Sequence, residues 1–117
     1  MVKLDRGLPQ ETTKKAAKVY KINYLQKALD DLDEIHLYIA NDSLAVADKI
    51  VNNILDAIGG LETFPFTGGS IADRLEVKGD YRMIIVKPYI IFYRVINMQV
   101  IIYRVLHSRR YHSALLD

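Results

Sequence analysis

A two-layer α+β sandwich is predicted for this 117-residue chain by three observations. Two apolar stripes at helical spacing lie between residues 25 and 61, parted by the break Asn41-Asp42-Ser43. Three runs rich in β-branched and aromatic residues follow between Tyr81 and Leu106, split by Lys87-Pro88 and Asn97-Met98-Gln99. A fourth strand-like segment precedes the first stripe. The expected order is β-α-α-β-β-β, an antiparallel sheet with one face covered by a helical hairpin.

The segment 1–17 stands apart from this plan. Pro9-Gln10-Glu11-Thr12-Thr13-Lys14-Lys15 is polar, and only Ala16-Ala17 hints at a helical turn, so it reads as a flexible or weakly helical extension before a domain spanning 18–117. From Lys18 to Tyr24 the alternation puts Tyr20, Ile22 and Tyr24 on one side of a strand and Lys21 and Asn23 on the other. Leu25, Ala28, Leu32, Ile35 and Ile39 then recur at helical spacing, with Asp30, Asp31, Asp33 and Glu34 forming an acidic outer face.

Asp42 or Ser43 can cap a second helix by accepting a bond from an unpaired amide. Its stripe runs through Leu44, Ala47, Ile50, Val51, Ile54, Leu55, Ile58 and Leu61, and so short a connection makes the two helices antiparallel. Gly59-Gly60 weakens the last turn, and Phe64-Pro65-Phe66-Thr67-Gly68-Gly69 ends it in a loop. Strands are expected over 81–86, 89–96 and 100–106. Tyr89 to Tyr93 is apolar on both faces, which suits a central strand.

Half of the residues are apolar and about a quarter are charged, as in an ordinary globular domain. With no cysteine, a disulfide framework and a thiolate metal site are both excluded. Three scattered histidines without H-E-x-x-H argue against zinc, and the glycine pairs lack the phosphate-loop pattern, so no metal and no cofactor are expected. No signal segment and no apolar run of membrane-spanning length is found, and a cytoplasmic location is expected.

The net charge of +2 conceals three unlike parts: residues 1–26 carry +4, residues 27–80 carry −7 and residues 81–117 carry +5. Between Tyr81 and Leu116 there is no carboxylate, while Arg82, Lys87, Arg94, Arg104, Arg109 and Arg110 are present. The stretch ends in His107-Ser108-Arg109-Arg110-Tyr111-His112. Such a basic, aromatic edge is expected to meet phosphate or an acidic partner, through Arg94, Arg104, His107, Arg109 and Arg110. Arg94 and Arg104 lie in apolar strands, so each must reach solvent, a ligand or a carboxylate of the acidic helix. Whether they share one face depends on the hairpin register. His36 reads as a surface histidine; His107 reads equally as a partner for backbone at the strand end and as a functional group.

In this order and at these spacings the motifs resemble the RelE/ParE superfamily of toxins from bacterial type II toxin–antitoxin systems, over about Lys18 to His112. The carriers are Ala28-Leu29-Asp30-Asp31-Leu32-Asp33-Glu34-Ile35 with Tyr38-Ile39, Leu61-Glu62-Thr63-Phe64-Pro65, Tyr81-Arg82-Met83-Ile84, Tyr89-Ile90-Ile91-Phe92-Tyr93-Arg94-Val95, and Val100 to Arg110. The resemblance implies a growth-inhibiting protein held inactive in a hetero-oligomer with a small acidic antitoxin. RelE-like members cut mRNA on the ribosome without metal; ParE-like members poison DNA gyrase and are not nucleases.

RelE-like nucleases carry an arginine after the tyrosine that opens the penultimate strand, and here Tyr89 is followed by Ile90. The basic position beyond the last strand is kept as Arg109, but the tyrosine expected a few residues later is met by Leu115. This favours the ParE-like reading. The nuclease alternative would rest on Arg109, Tyr111, His112 and Arg82 as catalytic groups, with Lys78 and Glu76 as further cation and base, because cleavage through the 2′-hydroxyl needs acid, base and cations on the phosphate. A third reading is a non-toxic module that only binds the antitoxin.

Overall fold

The structure is a computed structural model and describes residues 19–70 and 80–109. Its elements in chain order are β1 (Lys21–Tyr24), α1 (Gln26–Ala40), α2 (Leu44–Gly59), a 3₁₀ turn (Gly60–Glu62), β2 (Gly69–Ser70), β3 (Arg82–Val86), β4 (Tyr89–Ile96) and β5 (Gln99–His107). The sheet has five strands in the order β1-β5-β4-β3-β2. The expected segment 1–17 lies outside the described residues.

Both helices form where the apolar spacing places them. Ser43 caps α2, its Oγ accepting from Val46 N at 3.2 Å. Gly59-Gly60 marks the change from α-helix to the 3₁₀ turn. Ala28 and Leu32 from α1, Ile54 and Ile58 from α2, and Leu61 pack on Tyr89, Ile91, Tyr93, Val100, Ile102 and Val105 of the sheet. Cutting Ile54 or Ile58 to alanine in so closed a cluster would cost about 2–5 kcal/mol.

Two features differ from the sequence expectation. The sheet is mixed: β1 runs parallel to β5, pairing Lys21–Tyr24 with Gln99–Ile102, because the helical hairpin carries the chain across and the last strand returns beside the first. And Gly69, read as the end of a loop, forms with Ser70 a short strand added to β3 opposite Met83 and Arg82. β4 is central, as its two apolar faces require, with Tyr89 to Tyr93 all buried.

The β4–β5 hairpin closes in two residues, Asn97 and Met98, at φ 50° and 65°, the left-handed pair that matches strand twist. Its register shifts farther along. Tyr93 faces Ile102 and Phe92 faces Arg104, leaving Tyr103 as the extra residue of a bulge in β5.

Tyr93 also organises the loop before β2. Its hydroxyl donates to Pro65 O at 2.7 Å and accepts from Gly68 N at 3.0 Å, and Arg82 Nη1 donates to Gly68 O at 2.7 Å. Gly68 is required there, since a Cβ would stand 2.5 Å from Met83 O. Burial raises the Tyr93 phenol above its ordinary 10.0, opposed by its bond from Gly68 and by the Arg82 charge. A phenol raised on folding contributes stability that is complete below pH 10.0 and lost as pH climbs past it. Urea unfolding is therefore expected to show stability falling above pH 10.0, less steeply in Tyr93→Phe. That variant should lose about 1–3 kcal/mol at pH 7 by stranding the Gly68 and Pro65 backbone groups. An identical alkaline decline in both proteins would contradict this role for Tyr93.

Candidate functional site

Positions i, i+3, i+4 and i+7 of a helix share a face, and on α1 these are Asp31, Glu34, Ile35 and Tyr38. That face meets the end of β5, where Val105, Leu106 and His107 run beside Tyr89 of β4. Together with Arg109 these residues line a cavity of about 470 Å³. The cavity exists because β1 stops at Tyr24, opposite Ile102, where the chain turns into α1. Beyond the bulge no described strand covers the outer edge of β5.

Asp31 fills the breach. Its Oδ2 accepts from Arg104 Nε at 2.8 Å and from Val105 N at 2.9 Å, and Oδ1 accepts from Arg104 Nη2 at 2.9 Å. The forked pair, led by the bond from Asp31, raises the Arg104 guanidinium above its ordinary value. The expectation of Asp31 on an acidic outer face is thus corrected. Set between Ala28 and Leu32 at the margin of the apolar stripe, it faces the sheet and is buried.

At the other wall, His107 accepts from Arg109 N through Nδ1 at 3.2 Å and meets the Tyr89 ring edge-to-face, centroids 5.6 Å apart. With Nδ1 acting as acceptor, a neutral ring carries its hydrogen on Nε2, a donor left for a ligand. Ser108 N donates to Pro88 O at 2.8 Å, which ties this end of β5 to the β3–β4 turn. Burial, and then the nearby Tyr38 phenol, raise the Tyr89 phenol. Tyr38 stands at the mouth, 78% exposed. The cavity has an apolar floor of Ile35, Val105, Leu106 and Tyr89, with His107 and Arg109 on one side and Glu34 on the other.

Of the residues singled out in the sequence, the structure brings together His107 and Arg109. Of the alternatives open for Arg104, the structure takes the carboxylate of the acidic helix: its guanidinium is held by Asp31, reached round the edge of β5 that β1 leaves uncovered. Arg94 is elsewhere, on the opposite face of the sheet, its guanidinium 5.4 Å from the Tyr81 ring centroid. Beyond the shift Arg104 pairs with Phe92, so by register it leaves the sheet on the same side as Arg94, and its reach round the free edge of β5 to Asp31 is what separates the two. Arg82 faces the loop that Tyr93 holds, lying over the Phe66 ring at 4.9 Å and 3.7 Å from Asp80. His36 is more than a surface residue, since its Nε2 lies 2.7 Å from Asp48 Oδ1 and joins α1 to α2.

Arg110, Tyr111, His112, Leu115, Glu76 and Lys78 lie outside the described residues. Glu34, Tyr38 and Tyr89 were missed as site residues; the signal for the first two was their spacing from Asp31 along α1. Among the described residues no cluster of His, Asp and Glu is arranged to hold a metal ion, and no helix is long and apolar enough to cross a membrane.

Residues 22–111 match the sequence profile of the family described as ParE toxin of type II toxin-antitoxin system, parDE. A solved structure described as the chromosomal ParDE TA system from P. aeruginosa superposes with a TM-score of 0.64 at 22% identity, covering 78% of this chain and 98% of that one. At that identity the likeness speaks to the fold. No curated protein matches the chain. With a profile match over most of its length, on a sheet and helical hairpin of the same fold, the chain belongs to the ParE toxin family of type II toxin–antitoxin systems.

Proposed function

We propose that this toxin inhibits growth by stalling DNA gyrase, and that its antitoxin silences it by occupying the cavity between α1 and β5. The observation that carries the target is the dispersal of the cations. Arg82 lies beside Tyr93 and Arg109 follows His107, which pairs with Tyr89; along β4 those positions are about 13 Å apart. Arg104 is held by Asp31. These groups do not converge on one phosphate, as attack by a 2′-hydroxyl would demand, so the gyrase reading is preferred to ribosome-dependent mRNA cleavage. On this reading the protein is not an enzyme.

The cavity favours insertion of a side chain over addition of a strand. Val105 N, the amide that an incoming strand would need, is taken by Asp31. An antitoxin segment with an apolar residue for the floor and a carboxylate for His107 and Arg109 fits the walls, in keeping with an acidic antitoxin.

Purified toxin added to gyrase and supercoiled plasmid is expected to accumulate cleaved plasmid, and pre-mixed antitoxin should prevent it. Unchanged plasmid topology, with new mRNA cuts by primer extension in a translating extract, would instead establish the nuclease alternative. Induced expression without growth inhibition would leave only an antitoxin-binding module.

A further inference from the structure

The two walls of the α1–β5 cavity carry opposite charge. On the α1 wall a single guanidinium serves two carboxylates: Asp31 holds Arg104 in its fork, and Glu34, one turn farther along the helix, adds to the negative field that raises Arg104 above its ordinary value. The wall therefore keeps a surplus negative charge, and the exposed Glu34 presents it to the cavity. Among the described residues no cation forms an ion pair with Glu34. On the β5 wall Arg109 is a permanent cation, and His107, whose Nδ1 accepts from Arg109 N, leaves its Nε2 hydrogen as a donor. The floor between them, Ile35, Val105 and Leu106, is apolar.

This polarity demands more of a partner than a basic cleft would. A segment bringing only carboxylates would gain at His107 and Arg109 and be repelled at Glu34 across the same floor, and like charges facing one another in a desolvated contact cost affinity. A segment bringing only cations would fail at the other wall. An apolar anchor by itself fixes no direction.

We infer that the antitoxin enters this cavity with an apolar residue on the floor, a carboxylate towards His107 and Arg109, and a lysine or arginine towards Glu34. Glu34 is then a specificity residue: it sets the direction in which the segment lies across the groove and rejects antitoxins that are acidic on both flanks of the anchor. The inference rests on the cavity being the antitoxin site, and adds to that reading the cation and the orientation.

Calorimetric titration of the full-length toxin with its purified cognate antitoxin provides the test. Glu34→Gln is expected to weaken binding about threefold and Glu34→Lys about tenfold. Glu34→Lys combined with Arg109→Glu inverts the polarity at unchanged net charge and should weaken binding about 30-fold. Affinity equal to wild type in that double variant would show that only total charge matters, and overturns the inference. Replacing each lysine and arginine of the antitoxin by glutamate in turn should reveal one position that weakens binding to wild type yet restores it to Glu34→Lys. The absence of such a position, or a folded Glu34→Lys toxin bound as tightly as wild type, overturns the inference as well. Thermal melts check the fold, which should hold because Glu34 and Arg109 are exposed, and Glu34→Gln carries the test should Glu34→Lys unfold. Tyr38→Ala reports occupation of the cavity regardless of charge. Binding loosened there but unchanged in Glu34→Lys keeps the cavity as the antitoxin site and removes the cation; Tyr38→Ala without effect removes both.

Discussion

Asp31→Ala is expected to cost the fold about 3 kcal/mol, measured by urea unfolding followed by circular dichroism. The variant abandons a guanidinium whose side chain is only 21% exposed and strands the Val105 N–H at the same stroke. Breaking a buried pair from one side costs about 3–5 kcal/mol; the lower figure applies because Arg104 retains some water to turn to. Against a usual domain stability of about 5–15 kcal/mol this is a large fraction. Asp31→Leu with Arg104→Met should recover only part of the loss: the charge is gone, but the Val105 amide still lacks an acceptor, worth about 1–3 kcal/mol. Asp31→Asn keeps an acceptor for Val105 and should fall between. A loss under about 1 kcal/mol in Asp31→Ala would show that the pair is peripheral to stability.

Tyr38→Ala is expected to loosen the complex with antitoxin about 30-fold or more, the scale of an aromatic hot spot at the mouth of a pocket. Because the side chain is 78% exposed, unfolding of the free toxin should hardly change. Arg109→Glu should act mainly on the association rate and flatten its dependence on salt, as reversal of a rim charge does. Calorimetric titration of each variant with purified antitoxin separates these effects. If both bind as tightly as the unaltered toxin, the antitoxin sits on another surface, and the cavity needs a different occupant.

Both results bear on how far the sequence could be read. Helices and long strands were legible because their apolar periodicities are unambiguous: α1 and β4 occupy the segments that the spacing marks. Asp31 was misplaced because four carboxylates in five positions look like one solvated face, although its spacing from Ala28 and Ile35 marks it as inward-facing. β2 escaped notice because Gly69-Ser70 carries no strand propensity and is recruited by the Tyr93 clasp, a contact made across more than twenty residues. Tyr89 looked like core alone. Its place in the cavity depends on β1 ending early, which no local pattern announces. The side from which Arg104 leaves the sheet hinged on a single extra residue in β5, and hydrophobic alternation does not reveal where a bulge falls.

An unfinished sheet margin invites unwanted company. Where β1 gives out, another polypeptide seeking to extend the sheet would find the Val105 amide already engaged and would have to evict a carboxylate together with its arginine. One acidic residue thereby serves as a stopper against fibre-like self-assembly.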